Sequence, residues 1–208
     1  MDNREKLLQA AARIYAEAGF RGATTRRIAD EAGVNEVTLF RLFGSKAQLI
    51  AEALSCHDPM GAVSLPEVPA DPVRELNAWC DGHAAALREM RGMIRKTMAD
   101  LEEHPEMRPH FCNGQTPHFN ELVSYTTRLI AHFPEAKGAD VRTSCTMLFS
   151  ALFADGMTRD IVPGVFPYPE RETNARYVEV FLRGLGILPA PHPTVPHPAG
   201  ESLQPAGD

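Results

Sequence analysis

Residues 24–43 read TTRRIADEAGVNEVTLFRLF. Ile28, Ala29, Val34, Leu39 and Phe43 recur at the spacing of positions that face inward from two short helices. Thr24 and Asn35 are residue types that cap helix starts, and each precedes one of the two apolar-patterned segments. Gly33 lies between the segments, and a residue without a Cβ readily takes the left-handed conformation of a tight turn. The stretch therefore predicts a helix-turn-helix. An ordinary helical hairpin carries the same pattern, so spacing alone leaves both readings open. Asn35, Glu36, Val37, Thr38, Arg41 and Leu42 are left on the outer face of the second helix. Such a helix fits the major groove of B-DNA, where side chains near its start reach base edges.

Upstream, Leu7, Ala11, Ile14, Tyr15 and Ala18 predict a helix over residues 3–18. Asp2 and Glu5 stand in capping-box spacing at its start, and Gly19 is placed to end it. Downstream, Gly44-Ser45 precedes a fourth helix from Lys46 to about Ser55. Residues 56–70 contain Pro59, Gly61, Pro66 and Pro69 and read as a linker. Asp71 and Pro72 then open a long helical stretch to about Glu103, divided at Gly92. Residues 104–116 read as a loop, and helical patterning resumes over 117–133, 139–161 and 171–185. No segment sustains period-two alternation, so no sheet is expected. Residues 189–208 hold six prolines and little that can pack, which predicts a disordered tail. The expected organisation is all-α: a three-helix helix-turn-helix head within residues 1–56, a helical-bundle body over 57–188, and the tail.

Composition fits this reading. Apolar residues make up 44% and charged residues 23%, ordinary for a globular protein. The net charge of −6 is unevenly spread: residues 1–50 carry eight Lys or Arg against six Asp or Glu. A mildly basic head on an acidic body suits a protein that meets nucleic acid at one end only. No apolar run reaches membrane-spanning length and the charged first residues resemble no secretion signal, so a cytoplasmic protein without membrane contact is expected. Cys56, Cys80, Cys112 and Cys145 form no close pair and read as free thiols.

The stretch from Leu7 to Leu54 resembles the head of the tetracycline-repressor (TetR) family. The resemblance is carried by the Ala-Ala and Gly-Phe of the first helix, TTRRIA, AGV and TLFRLFGSK. It implies that Thr25 and Arg26 contact DNA from the start of the second helix. It also implies that Glu36, Val37, Thr38, Phe40 and Arg41 lie on the recognition helix, and that Lys46 clamps a phosphate. The amide groups and lysine at a helix start attract a phosphate for the same reason. Phe40 stands where the family often has Tyr, and Leu42 where Tyr or His is common. Glu36 on a groove-facing surface must accept a cytosine amino group or repel DNA.

In the body, nine of the thirteen residues from Cys145 to Met157 are apolar, so that helix is covered on more than one side. The resemblance implies that the last two long helices form a dimer interface, here Leu148, Leu152, Val178, Phe181 and Leu185. Trp79, His83, Met90, Met98, Phe119, Tyr125, Phe149 and Phe153 lie on or beside the central helices and suit an apolar ligand cavity, or plain core. Cys80-x-x-His83 and the cluster of His104, His110, Cys112 and His118 match no closed tetrahedral pattern, so no metal is expected. Neither a nucleophile elbow nor a phosphate loop occurs, and Gly184-Leu185-Gly186 reads as a helix end; neither an enzyme nor a cofactor is expected.

Together these readings point to a homodimeric transcriptional regulator. A small-molecule effector would release it from a palindromic double-stranded DNA operator. The alternative is a helical dimer working through protein–protein contacts with weak or lost DNA binding, motivated by Glu36, Phe40 and Leu42.

Overall fold

The computed structural model describes residues 1–55, 63–111, 117–136 and 138–188. Among them every regular element is a helix, as the sequence pattern requires. Cys56, Cys112 and the Pro-rich tail lie outside the described residues. No helix among the described residues is long and apolar enough to cross a membrane.

Helix α1 spans Asn3–Gly22 and begins with the expected capping box: the Asp2 carboxylate accepts from the Glu5 amide, and the Glu5 side chain accepts from the Asp2 amide. At Gly19 φ is 69°, so the helix breaks there and resumes for one short turn. Helix α2 (Thr25–Ala32) is capped by the Thr24 hydroxyl, which accepts from the Arg27 amide, and stops at left-handed Gly33. Helix α3 (Glu36–Phe43) is capped by Asn35, whose side chain accepts from the Val37 amide at 2.8 Å. Helix α4 is Lys46–Ser55. Ile28, Ala29, Leu39 and Phe43 are buried, and Val34 is half-buried. Ile28, Val34, Leu39 and Phe43 join Leu7, Ala11, Ile14, Tyr15, Leu49 and Ile50 in one core, to which Met107 from further along the chain also belongs.

Helix α5 (Pro72–Glu103) is one unbroken element of 32 residues. The expected division at Gly92 does not occur. A glycine inside a helix costs only about 1 kcal/mol relative to alanine, and the packing on both sides of Gly92 outweighs that. Between the end of α5 and residue 111 the chain is not simple loop. Pro105–Met107 form a 3-10 turn and Arg108–Phe111 a single helical turn, α6, and both pack on α4. Met107 is wholly buried there, which explains why the segment folds despite its prolines.

Helices α7 (Pro117–Ile130), α8 (Val141–Thr158) and α9 (Glu170–Gly184) complete the bundle. Helix α8 packs on α5, α7 and α9, which is why its sequence is apolar on more than one side. The second core holds Leu76, Trp79, Cys80, Leu122, Tyr125, Cys145, Leu148, Leu152, Val178 and Phe181. Both described cysteines are free and buried.

Close approach of α8 to α5 depends on Gly156. A Cβ there would lie 2.9 Å from Cβ of Leu87, so only glycine lets the backbones meet. Arg91 reinforces the contact by donating to the Gly156 carbonyl at 2.6 Å, and Arg95 grips Asp160 with both terminal nitrogens.

Candidate nucleic-acid interface

The outward face of α3 is the feature to explain. Val37 is 73% exposed, Phe40 48% and Leu42 39%, while Leu39 and Phe43 are buried. Val37, Phe40 and Arg41 stand at i, i+3 and i+4, so they share one side of the helix. Arg41 and Arg26 are exposed and pair with no carboxylate among the described residues. Other arginines of the same region are engaged: Arg4 with Glu52, Arg13 with Glu31, and Arg27 with Glu17. The face of α3 therefore presents the Arg41 guanidinium, with no carboxylate partner among the described residues, beside apolar side chains, and Arg26 is exposed in the same way on α2.

Thr25 and Glu36 do not point outward as independent groups. The Thr25 hydroxyl donates to the Glu36 carboxylate, and both side chains are half-buried. The Glu36 carboxylate, expected to meet a base or repel DNA, is thus also engaged within the protein, although a neutral hydroxyl leaves its charge in place. It is a bridge between α2 and α3, satisfied within the protein. Asn35 is likewise committed to its cap, and Thr38 is half-buried beside it.

Lys46 opens α4 as expected, but its ammonium is engaged. Nζ donates to the Phe20 carbonyl at 2.8 Å and sits 3.9 Å above the centre of the Phe20 ring. Burial pushes its pKa below the ordinary lysine value, against the opposing pull of Glu106 and Asp100. An ammonium has three donors, so one bond to Phe20 leaves two for another acceptor.

The residues expected around a ligand divide into two sets. Trp79, His83 and Tyr125 are fully buried, and Phe119 and Phe149 half-buried. The rings of Trp79 and His83 lie 3.7 Å apart, His83 and Phe149 6.4 Å, and Phe119 and Phe149 5.7 Å. His118, noted in the sequence only as a metal ligand, joins this cluster 5.0 Å from His83. Two of the members carry polar anchors: Trp79 donates to Glu121 and Tyr125 to Glu75. Met90 and Phe153 are half-buried, and Met98 is 51% exposed. Met98 sits well along α5 from the ring cluster, outside any shared enclosure with it. A cleft of about 490 Å³ opens instead at the end of α7, beside Ile130, Phe133 and Pro134.

The five residues expected at a dimer interface need correction. Leu148, Leu152, Val178, Phe181 and Leu185 are each at most 6% exposed in the single chain. They fill the core between α5, α7, α8 and α9 and have no free surface to offer. The outer faces of α8 and α9 carry Met147, 68% exposed, and Val180, 66% exposed, which the sequence reading passed over. Asp100, Glu103 and His104 also bring ligand-type atoms within 4.8 Å of one another, a grouping unmarked by any sequence motif. Asp100 is already committed to a backbone amide, that of Phe20.

Residues 7–53 match the sequence profile of the bacterial regulatory proteins, tetR family. The chain is 33% identical over 72 residues to the uncharacterized HTH-type transcriptional regulator YvkB of Bacillus subtilis, covering 35% of this chain and 38% of that one. It is 43% identical over 51 residues to the HTH-type transcriptional repressor KstR2 of Mycolicibacterium smegmatis, covering 24% and 25%. These matches thus span well under two thirds of either relative. Over nearly the whole chain the fold is similar to that of FadR, a transcriptional regulator of Bacillus subtilis solved with stearoyl-CoA. The TM-score is 0.59 at 19% identity, with 86% of this chain and 98% of that one covered.

Proposed function

We propose that this chain, whose residues 7–53 match the tetR-family profile, is a ligand-responsive, DNA-binding transcriptional regulator acting as a homodimeric repressor. The observation that carries the reading is the outer face of α3. Val37, Phe40 and Arg41 are exposed on a capped helix whose opposite side is locked into the core, and Arg41 pairs with no carboxylate among the described residues. In a major groove, Arg41 donates to guanine and Val37 and Phe40 meet thymine methyl groups. Arg26 and Lys46 reach the flanking phosphates, with the amides at the start of α4 adding to the pull. Glu36 holds Thr25, and its carboxylate, still charged, opposes the attraction to the phosphates.

Two heads on one palindrome require a dimer, and the outward faces of α8 and α9 around Met147 and Val180 supply its surface. The effector is a small molecule that enters the body beside the ring cluster of Trp79, His83, Phe119 and Phe149, which combines apolar walls with polar anchors. It releases DNA by favouring a head spacing that no longer matches the operator.

The deciding experiment is a mobility shift on DNA flanking the protein's own coding region, repeated across salt concentrations. Tight binding that weakens steeply with salt supports the reading. Absence of any shift for a folded dimer favours the rival, a protein–protein role in which exposed Phe40 and Leu42 meet a partner protein.

A further inference from the structure

Phe20 is held by two different parts of the molecule through one residue's backbone. In a straight helix the Phe20 amide would donate to the Ala16 carbonyl, four residues earlier. The break at Gly19 separates them, and α5 satisfies both. The Phe20 amide donates to Asp100 Oδ2 at 3.1 Å, and Lys96 Nζ donates to the Ala16 carbonyl at 2.9 Å. Lys96 and Asp100 stand at i and i+4, one helical turn apart, and so replace one lost backbone bond with two side-chain bonds. The Tyr15 hydroxyl donates to Thr97 between them, and the Phe20 ring lies 4.8 Å from that of His104. A Cβ on Gly19 would stand 3.1 Å from Lys96, so the approach is as close as the chain allows. On its other side, the Phe20 carbonyl takes the ammonium of Lys46.

We propose that Lys96 and Asp100 form the joint through which the body positions the head, and that Phe20 passes any movement of α5 directly to Lys46. The proposal rests on the DNA-binding reading for its consequence, but not for its geometry. Helix α5 is continuous from the ring cluster at Trp79 and His83 to the joint, a span of roughly 25 Å at about 1.5 Å per residue. Arg91 and Arg95 fasten its middle to the end of α8. An effector displacing the upper part of α5 therefore moves Asp100, Asp100 moves the Phe20 peptide, and Lys46 shifts against its phosphate. The broken hydrogen bond in α1 is what makes this coupling direct. An intact helix would satisfy Phe20 and Ala16 internally and leave α5 nothing on their backbone to hold.

The test uses the full chain with spin labels on unnatural amino acids at exposed Asp30 and Ser124, diluted into unlabelled protein. The parent gives a narrow distance distribution between these sites. Asp100→Ala broadens it with helicity retained, and Asp100→Asn, which keeps an acceptor oxygen, restores it. Should Asp100→Ala fail to fold, Lys96→Met takes its place with the same expectation. A distribution as narrow as the parent's in a folded Asp100→Ala or Lys96→Met variant overturns the joint. On operator DNA, Asp100→Ala lowers affinity about three- to tenfold when Lys46 is present, and by less when Lys46→Ala is already in place. Strictly additive effects overturn the relay through Phe20. If the parent binds no DNA, the functional reading fails while the distance measurements still decide the joint.

Discussion

The hydroxyl of Thr25 donates to the carboxylate of Glu36, so the only acid of α3 is tied to the first residue of α2. The bond spans the turn at Gly33 and fixes how one helix leaves the other. It also holds the carboxylate, still charged, beside Thr25 within the motif. Thr25→Val should cost about 0.5–1.5 kcal/mol of stability, the net worth of a hydrogen bond. It should also weaken operator binding by freeing the carboxylate. Glu36→Gln keeps an acceptor and removes the charge, and should bind DNA more tightly than the parent. Urea unfolding and mobility shifts check both; equal affinity for the parent and Glu36→Gln would show that the charge never meets the phosphates.

Lys46→Ala should weaken binding on every sequence alike and lower the slope of log affinity against log salt by about one per half-site. Loss of the bond to Phe20 should also reduce stability by about 1 kcal/mol. A salt slope equal to the parent's would assign the whole of Lys46 to Phe20.

Charge on the outside of the last helices should separate subunits. Met147→Glu and Val180→Glu place a carboxylate on exposed positions of α8 and α9. Buried in an interface it has no partner, and the cost favours monomers. Light scattering should report half the mass with helicity unchanged. Leu152→Glu should instead unfold the chain, because that residue is 2% exposed within one subunit. Two folded, dimeric variants at 147 and 180 would move the interface elsewhere.

Two glycines should respond oppositely to alanine. Gly156→Ala forces α8 away from Leu87 and should cost about 1–3 kcal/mol, as overpacking does. Gly92 is exposed, lies within α5 and has open space around its missing Cβ. Gly92→Ala should therefore add about 0.5–1 kcal/mol by lowering the entropy of the unfolded chain. Denaturant midpoints distinguish the two directly.

Acid should loosen the bundle partly through Glu75. Burial raises its carboxyl pKa, but the Tyr125 hydroxyl and the amides of Asp71 and Ala70 outweigh that and hold it below the usual 4.5. A carboxyl with a lowered folded pKa stabilises fully above its unfolded value, and that stability is lost as pH falls through the folded one. Glu75→Gln should thus flatten the fall in stability below about pH 4.5. An unchanged acid limb would show that the Glu75 contacts contribute nothing measurable.

The helix-turn-helix was legible in the sequence because everything that specifies it is local. Thr24 and Asn35 cap within three residues, Gly33 turns on its own backbone freedom, and Leu39 and Phe43 follow the helical period. The family resemblance over Leu7 to Leu54 rests on the same short-range signals. Periodicity also found α5 and α7 to α9, though it read α6 as loop and divided α5 at Gly92, since it weighs the local cost of a glycine or proline without the packing that offsets it. What tertiary structure alone decided was which sides of α8 and α9 stay uncovered. Leu148 and Phe181 looked fit for an interface, yet neighbouring helices cover them, leaving Met147 and Val180 outside. Pairings across long separations were equally invisible: Phe20 with Asp100 lie 80 residues apart, and Lys46 with Phe20 26. A carboxylate, an amide and an ammonium carry no mark of their partners in the chain. They find one another only when packing brings α1, α4 and α5 together and leaves the unpaired backbone of Phe20 at the place where they meet.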